Sequence, residues 1–279
     1  MWDRGNLLLA VILLTTLQQN VAEKLLDMSP DAVDYICSKC RQDAIEKFVN
    51  SGLLNNELSL SLGFQKAWNK SQCTKQIKGG IKEHTAALLA YANGDRGFIT
   101  EFNSEVETKG GNTTRYDNDF NYKAFHFLLM DYMMLQKPQT CQAVYLLLDT
   151  KQTAKIKSTV RLGRFTTAVL NFDSLKQLHD FDSEVILNIT SCLFAKLGDN
   201  ICKVNKEDVL LSPSEEFIVE NSVTVVDTED DVTYTMITLN HVSLGDLNNC
   251  HICSRSSPSV STQWPVLVMA VLSFSFVRY

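Results

Sequence analysis

YKAFHFLLMDYMMLQKPQTCQAVYLLL, residues 122–148, contains the change of period on which the fold turns. Over 122–136 the apolar residues recur at helical spacing. Phe125, Leu128, Leu129, Tyr132 and Met133 fall on one face, so a helix is expected there. Pro138 stops it. The next apolar run, AVYLLL at 143–148, is short and bounded by turn residues, which reads as a strand.

Working outward, the two sides of this junction differ. Upstream, 44–49 and 57–68 are short amphipathic stretches. Residues 81–94 (IKEHTAALLAYANG) read as a helix that follows the Gly79-Gly80 turn and ends at Gly94. Downstream, strands are expected at 160–162, 165–170, 185–189, 209–211, 217–219 and 234–239, because these runs alternate or are rich in β-branched residues. One helix interrupts them at 174–179, with Asp173 or Ser174 as its N-cap. Helices first and strands afterwards predict an α+β domain with no repeating βαβ unit.

The two ends read as processing signals. LLLAVILLTTL at 7–17, preceded by Arg4 and followed by Asn20-Val21-Ala22, has the form of a secretory leader spanning 1–22. The tail WPVLVMAVLSFSFV, 264–277, is shorter than the about 20 apolar residues that a spanning helix needs. With the Ser-rich stretch before it, 254–279 reads as a glycosylphosphatidylinositol (GPI) attachment signal, with Ser254 or Ser256 as acceptor. The mature domain is then 23–253, placed on the outer face of the plasma membrane. The net charge of −6 comes with no basic stripe, which argues against a nucleic-acid partner.

Eight cysteines all lie beyond the leader. An even number in a secreted chain reads as a disulfide framework, whose connectivity the spacing leaves open. Cys37/Cys40 and Cys250/Cys253 have the C-x-x-C spacing that also suits structural zinc, but an oxidising compartment favours bridges, and no metal is expected. Asn69, Asn112 and Asn188 each begin an N-x-S/T sequon and are expected to carry glycans.

Six segments, in order, carry a family resemblance: KAFHFLLMDYMMLQ, CQAVY, VRLGRFTTAVL, ITSC, DVLLSPSEEF and YTMITLNHVSLGDLNNC. Together they resemble the vertebrate ecto-mono-ADP-ribosyltransferases. The resemblance implies a helical part packed on two facing β-sheets, with NAD⁺ as co-substrate in the cleft between them. It implies transfer of ADP-ribose from NAD⁺ to an arginine of a surface or secreted protein, with loss of nicotinamide. Two bridges are also implied, Cys141–Cys192 and Cys40–Cys250. With those in place, Cys37–Cys253 is expected as a companion and Cys73–Cys202 as the last pair.

The family's motifs are an arginine in V-Y-R-G, a serine opening S-T-S, and a glutamate pair E-x-E before V-L-I-P-P. Carried onto this chain, the arginine's place falls on Leu146, which has no donor for ribose or phosphate. The serine falls on Thr167, which keeps the hydroxyl, and Thr166 beside it is expected to line the cofactor. The catalytic glutamate falls on Asp208, a shorter acid, and the acceptor-binding glutamate on Lys206, a cation that repels a guanidinium. Glu207 points to the opposite strand face, Glu215 is expected to be structural, and Arg164 is read as a surface residue. These substitutions predict weakened arginine transfer. The alternatives are a non-catalytic surface binding protein and a weak NAD⁺ glycohydrolase.

Overall fold

The computed structural model describes residues 24–70, 77–136, 140–148, 152–200, 208–245, 250 and 252. A short strand β1 (Lys24–Leu25) leads into a helical layer. Its members are α1 (Arg41–Ile45, continuing through a π turn at Glu46–Asn50), α2 (Leu53–Leu60), α3 (Leu62–Asn69), α4 (Lys82–Ala92), α5 (Arg96–Thr108), α6 (Thr113–Asp119) and α7 (Lys123–Leu135). The strands follow: β2 (Gln142–Leu147), β3 (Gln152–Thr153), β4 (Thr159–Arg161), β5 (Thr166–Val169), β6 (Val185–Ser191), β7 (Phe194–Lys196), β8 (Asp208–Leu211), β9 (Glu215–Asp227) and β10 (Val232–Leu244). Between them lie α8 (Phe172–Leu178) and α9 (Leu197–Asn200). This is the expected α+β order.

Helix α7 is more central than its one-sided pattern predicts. Every residue from Ala124 to Met133 is buried, as in a helix packed on all sides. The stretch expected over 57–68 is two helices, broken at Ser61, whose Oγ accepts the Phe64 N–H and caps α3. Helices α5 and α6 were not expected. Each has a side-chain cap, Asp95 accepting from the Phe98 N–H and Asn112 from the Arg115 N–H. The cap of α8 is Asn171, ahead of the predicted Asp173 or Ser174.

Eight strands form one ladder in the order β4-β9-β10-β6-β2-β5-β8-β7. β6 runs parallel to β10, and the remaining neighbours are antiparallel. The link between β2 and β5 is a single residue pair, Tyr145 with Val169. The ladder is therefore a five-stranded part and a three-stranded part that meet at one point. β9 and β10 are much longer than the short runs expected, because their outer halves keep alternating while only one side is covered.

Three apolar clusters hold the layers together. The largest fills the helical layer with stacked aromatics, Phe64 on Phe98 and Phe102 on Phe165 among them, and reaches Leu210 of β8. The second covers one face of the sheet with Leu146, Ala168, Val209 and Leu239. The third lies under α8 on the opposite face, with Val169, Leu175, Ile186 and Tyr234.

The bridge pattern corrects one expectation. Cys141 and Cys192 are joined, with Cα atoms 4.1 Å apart. Cys250, however, is bonded to Cys37 rather than to Cys40, across 5.0 Å between Cα atoms. Both Cys40–Cys250 and Cys37–Cys253 are thereby excluded. The reason is direction: Cys37 is buried with Val33 and Ile36 in the helical core, where Cys250 also sits, whereas Cys40 is half-exposed beyond a short 3₁₀ turn. Cys40 is itself in a disulfide. Cys73, Cys202 and Cys253 lie outside the described residues.

Candidate functional site

Beyond the Tyr145–Val169 pair, β2 and β5 part, and the opening is a cleft of about 230 Å³. Leu146 and Leu148 line it from β2, and Thr166 from β5. Its other walls come from Glu107 at the end of α5, from Arg161, Leu162 and Arg164 around β4, and from residues 24–29. Such a volume is below the roughly 300–1,000 Å³ of ordinary small-molecule sites.

Phe165 fixes the β5 side of this cleft. Its N–H donates to Asn103 Oδ1 at 3.2 Å, and its carbonyl accepts from Tyr91 Oη at 2.8 Å and Asn103 Nδ2 at 3.0 Å. Burial pushes the Tyr91 hydroxyl up to about 12, so it remains a neutral donor. With its backbone clamped to α4 and α5, Phe165 holds its two neighbours, Arg164 and Thr166, at the cleft wall.

Residues 24–29 form a strap across the cleft. β1 pairs with β3, and the Leu26 N–H donates to the Thr153 carbonyl. Arg161 secures the rest: its N–H donates to the Asp27 carbonyl, its Nε to the Met28 carbonyl, and its guanidinium pairs with Asp34. Gly163 has φ +69°, and a Cβ there would lie 2.4 Å from Ser29 Oγ, so only glycine lets strap and turn approach this closely.

The predicted site residues separate into two groups. Leu146, 4 % exposed, shares its apolar cluster with Ala168 and Val209 and forms cleft wall. Thr166 stands beside it in the same cleft. Thr167 is exposed and alternates with them, on the strand face opposite Leu146. Asp208 opens β8, is half-buried and pairs with Val169, itself in the cluster on that opposite side. Thr167 and Asp208 therefore sit across the β5–β8 ladder from Leu146 and Thr166. Lys206 and Glu207 lie outside the described residues, as do Ser254 and Ser256. Arg164, read as surface from sequence, is a cleft residue. Arg161 and the strap were missed, and an arginine following buried Val160 in a strand was the available signal.

Glu215 is fully buried. Its carboxylate accepts from Ser191 Oγ and the Cys192 N–H, each at 2.6 Å, and lies 2.8 Å from His241 Nδ1. Burial pushes its carboxyl above the usual range, opposed by those partners. Cys192, Glu215 and His241 are close enough to suggest a metal site. The Cys192 sulfur is committed to Cys141, which leaves too few ligands. His126 is buried on α7 with Nε2 2.8 Å from the Val33 carbonyl, and burial lowers it to about 4, so it packs as a neutral ring.

Of the sequon residues, Asn69 ends α3 and is exposed, and Asn112 is exposed while its Oδ1 caps α6. Asn188 lies half-buried in β6 between β2 and β10.

Known proteins match this arrangement. The sequence model of the family described as NAD:arginine ADP-ribosyltransferase matches residues 26–242. The chain is 27 % identical over 202 residues to T-cell ecto-ADP-ribosyltransferase 1 of Mus musculus, covering 69 % of this chain and 67 % of that protein. It is 32 % identical over 146 residues to GPI-linked NAD(P)(+)–arginine ADP-ribosyltransferase 1 of Homo sapiens, covering 50 % of this chain and 43 % of that protein. Among solved structures, a variant of the eukaryotic mono-ADP-ribosyltransferase ART2.2 in complex with NAD superposes with a TM-score of 0.60 at 25 % identity, over 78 % of this chain and 93 % of that one. The chain belongs to the NAD:arginine ADP-ribosyltransferase family.

Proposed function

We propose that this is a cell-surface ADP-ribosyltransferase-fold protein that receives an NAD-type dinucleotide at the parting of β2 and β5, and that has lost efficient transfer of ADP-ribose to arginine. The observation that carries this reading is Leu146: the position matching the family's arginine is an apolar side chain packed with Ala168 and Val209 in the cleft wall. In the family's reaction the bond from ribose C1 to nicotinamide breaks, and positive charge grows on that carbon. A carboxylate aimed at the charge stabilises it, and Asp208, where the family has glutamate, is shorter and lies on the strand face opposite Leu146 and Thr166. A misplacement of about 1 Å costs on the order of a hundredfold in rate.

Asp208 also supports a second reading. A carboxylate remains, half-buried, at the start of β8, on the face away from Leu146 and Thr166, so slow release of nicotinamide to water is the most activity it would leave. Incubating the purified, disulfide-bonded protein with labelled NAD⁺ and an arginine-rich acceptor separates the readings. Binding without label on the acceptor is expected, with at most slow nicotinamide release. Rapid labelling of the acceptor overturns the proposal.

Surface placement rests on the leader at 1–22 and the tail at 254–279, and on relatives that are named ecto or GPI-linked. Among the described residues no helix is long and apolar enough to cross a membrane. Release of the protein from intact cells by a phosphatidylinositol-specific phospholipase is the expected result, and retention would count against the anchor.

A further inference from the structure

We infer that Cys192, Glu215 and His241 form a zinc site that the Cys141–Cys192 bridge keeps closed and that a thiol reductant opens. None of the three lines the cleft. The Cys192 sulfur, a Glu215 carboxylate oxygen and a His241 ring nitrogen all lie within 4.8 Å of one another, and among the described residues no other three such groups come this close. Donors around a tetrahedral zinc stand roughly 3.3–3.8 Å apart, as bonds of about 2.0–2.3 Å require. The sulfur therefore has to draw in by about 1 Å. The 2.8 Å between His241 Nδ1 and Glu215 Oε1 has to open slightly. The backbone already sets this spacing. Cys192 follows the last residue of β6, Glu215 opens β9, and His241 lies on β10, which pairs with both strands. A register shift between His241 and Ser243 re-aims β10 beside the start of β9.

While the bridge is closed, only Glu215 and His241 offer donors, too few to hold the metal. Cys141 is exposed and Cys192 half-buried, at the ends of the neighbouring strands β2 and β6, so a small thiol can reach the bridge. Two thiol molecules supply the two electrons. The protein's sulfur–sulfur bond breaks, one forms between the reductant molecules, and Cys141 and Cys192 become thiols. Zinc then displaces the Cys192 proton to solvent. It also takes the place of the hydrogen between His241 Nδ1 and Glu215, and that proton moves to Nε2 of a ring that is 25 % exposed. One thiolate and one carboxylate cancel the charge of the ion, which suits a site where Glu215 is wholly buried. The Ser191 hydroxyl and the Cys192 N–H continue to orient that carboxylate, as an outer shell does around a bound metal. Either Cys141 or water completes the tetrahedron. Thiolate and imidazole select zinc over calcium or magnesium.

The test is titration of zinc, and of cobalt as its spectroscopic stand-in, into the purified full chain. Cys141→Ser makes Cys192 a free thiol with no reductant present, so the Cys37–Cys250 bridge stays closed. This variant is expected to bind one zinc per chain in calorimetry, to gain thermal stability from zinc, and to show a thiolate-to-cobalt charge-transfer band. Oxidised wild type should show none of these. Adding His241→Ala to Cys141→Ser should weaken zinc by on the order of a hundredfold. Should Cys141→Ser fail to fold, wild type takes its place after brief treatment with a thiol and desalting, once alkylated peptides show that only Cys141 and Cys192 have opened. A folded protein with a free Cys192 that binds no zinc overturns the site. Zinc binding that survives His241→Ala unchanged assigns the metal elsewhere and overturns it too, and equal binding by oxidised wild type overturns the control by the bridge.

Discussion

The carboxylate of Glu57 on α2 accepts the backbone N–H of Ala124 at 2.9 Å, and its second oxygen accepts that of Phe125 at 3.3 Å. A buried acid thus closes the first turn of α7, which has no side-chain cap of its own. Burial raises this carboxyl from 4.5 to about 8, against the lowering effect of the two amides and Lys123. The folded state therefore holds the proton more tightly than the unfolded chain. Its contribution is complete below about pH 4.5 and is lost as pH rises towards 8. Denaturant unfolding should show stability falling by on the order of 2–4 kcal/mol between pH 5 and pH 8. Glu57→Gln should remove most of that slope, and a variant with the wild-type slope would contradict the assignment to Glu57.

Restoring the family's residues tests the reading of the site. The triple change Leu146→Arg, Lys206→Glu and Asp208→Glu should raise label transfer from NAD⁺ to an arginine-rich acceptor by on the order of a hundredfold. Leu146→Arg alone should lower stability, because it puts a guanidinium where Leu146 packs against Ala168. An inert, folded triple variant would show that the three positions are not the site.

Glu215 is a structural acid, and its removal should be costly. Glu215→Ala leaves the Ser191 hydroxyl and Cys192 N–H without their acceptor in a buried place. A loss of about 3 kcal/mol is expected in chemical denaturation. Glu215→Gln keeps one acceptor and should cost less. Equal stability of all three proteins would exclude this role.

The bridge assignment is open to direct mapping. Unreduced peptides should contain Cys37 linked to Cys250 and Cys141 linked to Cys192. A Cys40–Cys250 peptide would overturn the first. Replacing Cys141 and Cys192 together by serine should cost about 2–4 kcal/mol.

What was legible in the sequence follows from range. Helix α7 and strand β2 declare themselves through local period, and the family's order of motifs supplied the cleft. Helix α5 also carried a stripe, Phe98, Phe102 and Val106, one turn apart and buried, but its polar remainder hid it. Strand β7 has three residues, too few to show a period. The Cys37 pairing depends on which of two nearby thiols faces the helical core, and spacing does not encode direction. Arg164 looked like a surface residue because its setting is assembled from α5 and the strap, both distant in the chain. Thr167 shows the reverse case: the motif nominated it, while strand alternation sends it away from Leu146.

The strap has a practical consequence for anyone who handles this protein. Lys24 and Leu25 are themselves wall residues of the cleft, so a fusion made directly to Lys24 begins at the cleft wall. An affinity tag or reporter joined there would be delivered onto the ligand's entrance. A negative binding result from such a preparation would describe the tag, so purification handles belong elsewhere on the chain.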